Sequence, residues 1–159
     1  MYLETYQATF LRSWVTIGIT RAAQAADLPA VISFSVEIDG RLPTGQTVGD
    51  AINTVDDATA GGPAYYMINC AHPTHFIDAL SNNASWTARV KGVRLNASAL
   101  SHAELNDADD LDDGDPVELG ALVSNIRKTF PHINVVGGCC GTDTRHIREF
   151  AAQIQDSPD

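Results

Sequence analysis

The residues best equipped for chemistry in this chain are its three cysteines, Cys70 and the vicinal pair Cys139-Cys140. Each stands at the end of an expected strand or one short glycine turn beyond it. In parallel α/β architectures the carboxyl ends of the strands are where sites form, so these positions can converge although they are far apart in sequence. Three thiolates can hold a tetrahedral Zn²⁺ and leave its fourth position open, the pattern of a catalytic rather than a structural site. A strand-end cysteine is also an ordinary small hydrophobe, and Cys70 taken alone is open to that explanation. Gly137-Gly138-Cys139-Cys140-Gly141 is different, because glycines around two thiols permit positive φ and let a tight bend present sulfur at a loop. A vicinal disulfide is a third use of the pair, disfavoured by the strain of the ring that adjacent cysteines close. Three cysteines are too few for a disulfide framework, and the odd count leaves at least one thiol free or coordinating.

Other polar clusters carry less. His72 and His75 lie close after Cys70, but three sulfurs already suffice and a fourth protein ligand would close the site. His102, His132 and His146 are expected at the surface or as caps. Asn106–Asp115 (NDADDLDDGD) holds six aspartates in ten residues without the D-x-[DN]-x-[DN]-G register of a calcium loop, and is expected to be a solvated acidic loop. No G-x-G-x-x-G, Walker sequence or Ser-His-Asp set stands in the right context, so nucleotide binding and serine hydrolysis lack support.

The elements that must position the cysteines alternate. Leu11, Trp14, Val15, Gly18, Ala22 and Ala26 mark one helical face, ending before Leu28-Pro29, and Val31–Val36 is a β-prone run. Val48, Ala51, Ile52 and Val55 give a second helix, followed by a strand over Tyr65–Cys70 and a helix marked by Phe76, Ile77, Leu80 and Ala84. Val90–Leu95 is the third strand. Asp115-Pro116-Val117-Glu118 combines a cap, a proline at the first helical position and an acid placed to close a capping box, opening a helix through Leu119, Leu122, Val123 and Ile126. Ile133–Val136 is the fourth strand, and Ile147, Phe150, Ala151 and Ile154 line the last helix. Strict β–α alternation implies parallel strands covered by helices. Periodicity alone leaves a small doubly wound sheet and part of a (β/α)8 barrel as alternatives; a closed barrel usually takes about 250 residues.

With 159 residues, 44 % apolar and 19 % charged, the chain is of single-domain size and ordinary globular composition. A formal charge of −10 repels phosphate backbones and anionic lipid, so no nucleic-acid or membrane partner is expected. No apolar run approaches the ~18 residues of a membrane span, and MYLETYQATF lacks a basic region followed by an apolar core, so the expected location is the cytoplasm.

GGCCGTDTRHI (Gly137–Ile147) closely resembles the last strand, loop and helix of homocysteine S-methyltransferases. YYMINCAHPTHF (Tyr65–Phe76) is similar to that family's segment carrying its first zinc cysteine. VISFSVEIDGRLPTGQTVGDAI (Val31–Ile52) is similar to its fifth strand with the loop and helix after it, and LETYQAT (Leu3–Thr9) to the Glu-Thr end of its fourth strand. The resemblance covers nearly the whole chain. It implies the C-terminal half of a (β/α)8 TIM-type barrel, from the end of strand four to strand eight with covering helices, and residues 1–159 as a partial homocysteine-binding domain. It further implies Zn²⁺ held by Cys70, Cys139 and Cys140, which would serve transfer of a methyl group to the thiol of homocysteine, forming methionine. Glu4 matches the strand-four glutamate expected to hold the amino group of homocysteine. Asn69 is placed to orient the neighbouring ligand, and Thr142 or Asp143 to cap the last helix, whose amide-rich N-terminus could receive the amino-acid carboxylate. The expected partners are homocysteine and a small-molecule methyl donor, the donor being S-methylmethionine, S-adenosylmethionine, betaine or a folate in such enzymes. Strands one to three have no counterpart here. The alternative is therefore a truncated, inactive zinc-binding half-barrel, which would self-associate or pair with a separate N-terminal half.

Overall fold

The computed structural model describes residues 13–80 and 84–155. Glu4, Leu11 and the Leu3–Thr9 segment lie outside the described residues. Helix α1 (Ser13–Ala25) leads into β1 (Val31–Ser35), α2 (Val48–Thr59), β2 (Tyr65–Ala71) and α3 (Pro73–Leu80). A 3-10 turn (Ser85–Arg89) enters β3 (Val90–Leu95), followed by α4 (His102–Asp107), α5 (Pro116–Thr129), β4 (Val135–Gly138) and α6 (Thr144–Gln155).

All four strands are parallel and lie in chain order, β1-β2-β3-β4. A doubly wound sheet places non-consecutive strands side by side at a switch point. No such reversal occurs among the described strands, and sequential parallel strands covered by helices match part of a TIM-type barrel.

Alternation along the strands sorts the side chains. Ile32, Phe34, Tyr66, Ile68 and Val93 are 0–4 % exposed and share one core with Ile52, Val55, Phe76, Leu119, Val123 and Ile126 of the helices. Phe34 and Tyr66 stack with ring centroids 5.8 Å apart. The opposite face carries Ser33, Met67, Gly92 and Val135 in one row and Ser35, Asn69, Arg94 and Gly137 in the next. The second of these rows is polar and lies next to the carboxyl ends of the strands.

Local signals explain several boundaries. The Asp115 carboxylate accepts from the amides of Val117 (2.8 Å) and Glu118 (3.3 Å), with Pro116 opening α5. The reciprocal capping box forms at α4, between Ser101 and Glu104, a helix the sequence pattern did not announce.

Three expectations shift. In α1 the buried residues are Thr16 and Thr20, while Trp14 is 68 % exposed. Helix α1 lies on α2, where Thr20 donates to its own helix at Thr16 O and Gln24 donates to Thr59 O, so polar side chains serve a helix–helix contact. On α6, Phe150 is buried but Ile147 is 47 % exposed. Strand β4 begins two residues later than the apolar run, because the ladder pairs Val135–Gly138 with Gly92–Leu95 and leaves Ile133 packed in the core.

Candidate metal centre

The late register of β4 carries the strand through Gly138, so Cys139 comes directly after it. The Cys139 amide donates to Leu95 O (2.7 Å), the Cys140 amide to Asn96 Oδ1 (3.2 Å), and Ala97 N to Cys140 O (2.9 Å). The end of β3 thus holds the turn on which both thiols sit. Thr142 closes it from the other side, its hydroxyl donating to Cys139 O at 2.8 Å. Gly141, at φ +77°, passes so close to the acidic loop that a Cβ would meet Asp112 O at 2.6 Å.

Cys70 reaches the same place through a distortion of β2. The β2–β3 register slips between Asn69 and Ala71, and Cys70 takes φ +54°. The left-handed region costs a non-glycine residue roughly 1–2 kcal/mol, so this bulge is held by its surroundings.

The three Sγ atoms lie within 4.8 Å of one another, and Cys70 and Cys140 are 3.5 Å apart. A tetrahedral Zn²⁺ with Zn–S bonds of ~2.3 Å separates its sulfurs by ~3.8 Å, which this spacing fits with small adjustment. Cys70 and Cys139 are half-buried, and Cys140 is exposed. The hydrogen bond from Cys70, aided by the Arg94 guanidinium, brings Cys139 down to about 6 against the effect of burial. Cys70 is pushed up, first by its bond to Cys139 and then by burial. One negative charge therefore forms readily at Cys139, while ionising Cys70 beside it calls for a cation in compensation. The donor set fits a soft, sulfur-preferring divalent ion.

His72 and His75 stand outside this group. His72 is lowered to about 4 by burial and then by the charge of His75, and its Nδ1 lies 2.8 Å from Thr74 Oγ1. His75 Nε2 bonds Ala99 O at 2.9 Å. His132 bonds the Thr87 carbonyl at 3.0 Å. His146 is fully buried rather than at the surface, between Asp143 and the carbonyl of Asp113.

Asn69 is 7 % exposed, with Nδ2 3.5 Å from Ser35 Oγ and no partner for Oδ1 among the described residues. The amide of Arg145 at the start of α6 is taken by Asp143, whose carboxylate accepts it at 2.8 Å. Asp143, rather than Thr142, is the cap. Its carboxylate occupies an amide that a ligand's carboxylate would otherwise use, and its pKa is held down to about 2, chiefly by that backbone bond.

The acidic stretch is more than a solvated loop. Asp112 accepts from Ser98 Oγ and Gly114 N, Asp113 pairs with Arg145, and Asp115 caps α5. These bonds fold it over the site, where Asn96, Ser98, His102, Leu105, Asp112 and Cys140 contribute to the lining of a cavity of about 230 Å³.

His102 is the residue sequence reasoning missed. Its Nε2 bonds the Cys70 carbonyl at 2.8 Å and its Nδ1 lies 3.2 Å from Glu37 Oε2. Spacing gave no hint of contacts across 32 and 65 residues.

A family model described as homocysteine S-methyltransferase matches residues 3–154. Methionine synthase of Mycobacterium leprae (strain TN) is 27 % identical over 158 residues, an alignment covering 96 % of this chain and 12 % of that protein. The chain thus spans about one eighth of the length of that relative.

Proposed function

We propose, because this chain belongs to the homocysteine S-methyltransferase family, that it contributes the metal-binding part of a site that methylates the thiol of homocysteine, yielding methionine. The observation that carries this reading is the convergence of Cys70, Cys139 and Cys140 beside a cavity that borders Cys140. These three would hold Zn²⁺, which when bound supplies the Lewis acidity that favours the deprotonated form of the substrate thiol.

The chain's own groups prepare that step. Arg94 places positive charge near Cys139, and the turn from Gly138 to Thr142 fixes two sulfurs on backbone bonds. The cavity of about 230 Å³ that Cys140 helps to line would take the substrate amino acid. Asn69 has an acceptor with no partner among the described residues, suited to a donor on the substrate or on an ordered water. Glu4 would hold the substrate ammonium, a role its match to the family's motif implies, and Thr142 would border the substrate from beside the amino end of α6. In the transfer, the thiol gives up its proton to solvent water, its sulfur lone pair forms the new S–CH₃ bond, and the donor's bond to that methyl breaks with its electron pair leaving on the donor.

Residues 1–159 would form the C-terminal half of the family's barrel, working in the cytoplasm with a complementary N-terminal half or a second copy. Within the described sheet, β4 pairs with one strand only. Unpaired strand edges invite pairing with another chain, which favours assembly and makes an isolated monomer the less active state. Among the described residues no helix is long and apolar enough to cross a membrane.

The test is zinc stoichiometry together with methionine formation, in fractions separated by sedimentation. One zinc per chain, with turnover confined to assembled species, is expected. A chain that binds no zinc would remove the basis of the proposal, and a monomer turning over at rates typical of enzymes would remove the half-barrel part.

A further inference from the structure

We infer that His102 and Glu37 form a clasp that holds Cys70 in the one backbone conformation able to join the other two sulfurs, which makes His102 a positioning residue of the metal centre. The inference rests on the metal reading above and adds two residues to it.

Cys70 is the weak point of the cluster. Cys139 and Cys140 sit on a turn tied to β3 by successive backbone bonds, whereas Cys70 stands on a bulge at φ +54° with the ladder broken around it. A bulge takes a residue out of the sheet's hydrogen bonding, so its carbonyl must be satisfied from elsewhere. His102 supplies that partner at 2.8 Å. A carbonyl and a carboxylate both only accept, so the ring donates from Nε2 to the Cys70 carbonyl and from Nδ1 to Glu37 Oε2, 3.2 Å away. The imidazole is thereby fixed at both ends, on a backbone oxygen of β2 and on a carboxylate in the loop after β1.

Neither contact leaves His102 able to act as a ligand itself, since Nε2 is committed to the carbonyl. The ring is held from its own side as well. Ser101 caps α4, and Glu104 returns two bonds to Ser101, at 2.9 Å from its amide and 2.7 Å from its hydroxyl. Helix α4 is therefore a short platform that aims one side chain at the Cys70 carbonyl. Groups that orient a ligand from behind typically change metal affinity by roughly 10–100-fold when removed.

The experiment compares the 159-residue chain with His102→Ala, His102→Gln and Glu37→Ala. Zinc affinity is measured by chelator competition, and the sulfur-to-metal absorption bands of the Co²⁺-loaded proteins are recorded. His102→Ala should bind zinc roughly 10–100-fold more weakly and shift the cobalt bands. His102→Gln, whose amide N–H can occupy the Nε2 position, should recover most of both. Glu37→Ala should lower affinity by a smaller factor, and it carries the test if His102→Ala fails to fold. Wild-type affinity and unshifted bands in a folded His102→Ala, or in Glu37→Ala where that variant carries the test, would overturn the clasp alone. A wild-type chain that binds no zinc would overturn the metal reading and the clasp with it.

Discussion

The two ends of the sheet solve opposite problems. At the amino end, Arg89 makes a two-pronged pair with Asp56, with both N···O distances 2.9 Å, and also donates to Pro63 O at 2.7 Å. Tyr66 donates to the same carboxylate at 2.8 Å, and the guanidinium lies 5.3 Å from its ring. Every group in that knot has a partner of opposite character. At the carboxyl end the backbone is bent at Cys70, three thiols crowd together and the Asn69 Oδ1 has no partner among the described residues. The β2–β3 ladder slips once at each end, at Tyr66/Met67 and at Asn69/Ala71, yet only the second slip comes with a left-handed residue. Within β2, the left-handed residue and the side-chain oxygen without a partner among the described residues both lie at the carboxyl end, where a ligand could meet them.

The largest expected effect breaks the carboxyl end alone. Cys140→Ala removes one of three sulfurs from an exposed position, so the fold should survive while zinc binding collapses. The loss should exceed the roughly 10–100-fold that a supporting residue commands. Metal analysis after dialysis, alongside a thermal melt of the metal-free protein, separates the two outcomes. Unchanged zinc in this variant would remove Cys140 from the ligand set.

Arg89→Leu is the mirror image. It strands Asp56 in a half-buried position and removes charge-assisted bonds, at a cost of about 1.5–3 kcal/mol in denaturant unfolding. Zinc stoichiometry should not change. A loss of metal without a loss of stability would show that the two ends are coupled in a way the packing does not suggest.

Much of this division was legible beforehand. Runs such as Val31–Val36 and Tyr65–Cys70 announce β1 and β2 to within one residue, because buried parallel strands need apolar, β-branched or aromatic side chains. The three cysteines are rare residues at strand ends, and the glycines around Cys139-Cys140 mark a tight turn before any geometry is known. The register of β4 was not legible, since Gly137 and Gly138 offer no side chains to show which face they take. His102 was invisible for a different reason. Its partners are a distant backbone carbonyl and a distant carboxylate, and no local pattern encodes either. The burial of Thr16 and Thr20 in place of Trp14 likewise depends on what α1 packs against.

A smaller effect sharpens the amino end by pH. Burial, then the bond to Asp56, raises the Tyr66 hydroxyl above its ordinary value of 10.0. The unfolded chain therefore releases this proton at lower pH than the folded one, so the group's contribution is full below about pH 10 and is lost as pH rises beyond it. Tyr66→Phe should cost about 1 kcal/mol at neutral pH, from one lost hydrogen bond. It should also flatten the alkaline decline, so the two proteins converge in stability as pH rises above about 10. Urea unfolding at stepped pH measures this, and parallel declines would show that Tyr66 is not the group being titrated.

The smallest stability change belongs to Asn69, and its smallness is the point. At the amino end, removing a polar partner leaves another group stranded. Among the described residues Asn69 is bound to so little that its removal strands almost nothing, because its amide reaches Ser35 only at 3.5 Å and its carbonyl oxygen has no partner there. Replacing a buried, poorly bonded polar side chain by an apolar one of similar size is near neutral, so Asn69→Leu should alter unfolding free energy by less than about 1 kcal/mol. If the unpartnered oxygen is kept for the substrate, the same variant should raise the homocysteine KM in the assembled enzyme while the donor KM stays put. Unchanged kinetics together with a stability loss well above about 1 kcal/mol would reverse the assignment. Asn69 would then be a structural residue of the same kind as Arg89, set at the other end of the sheet.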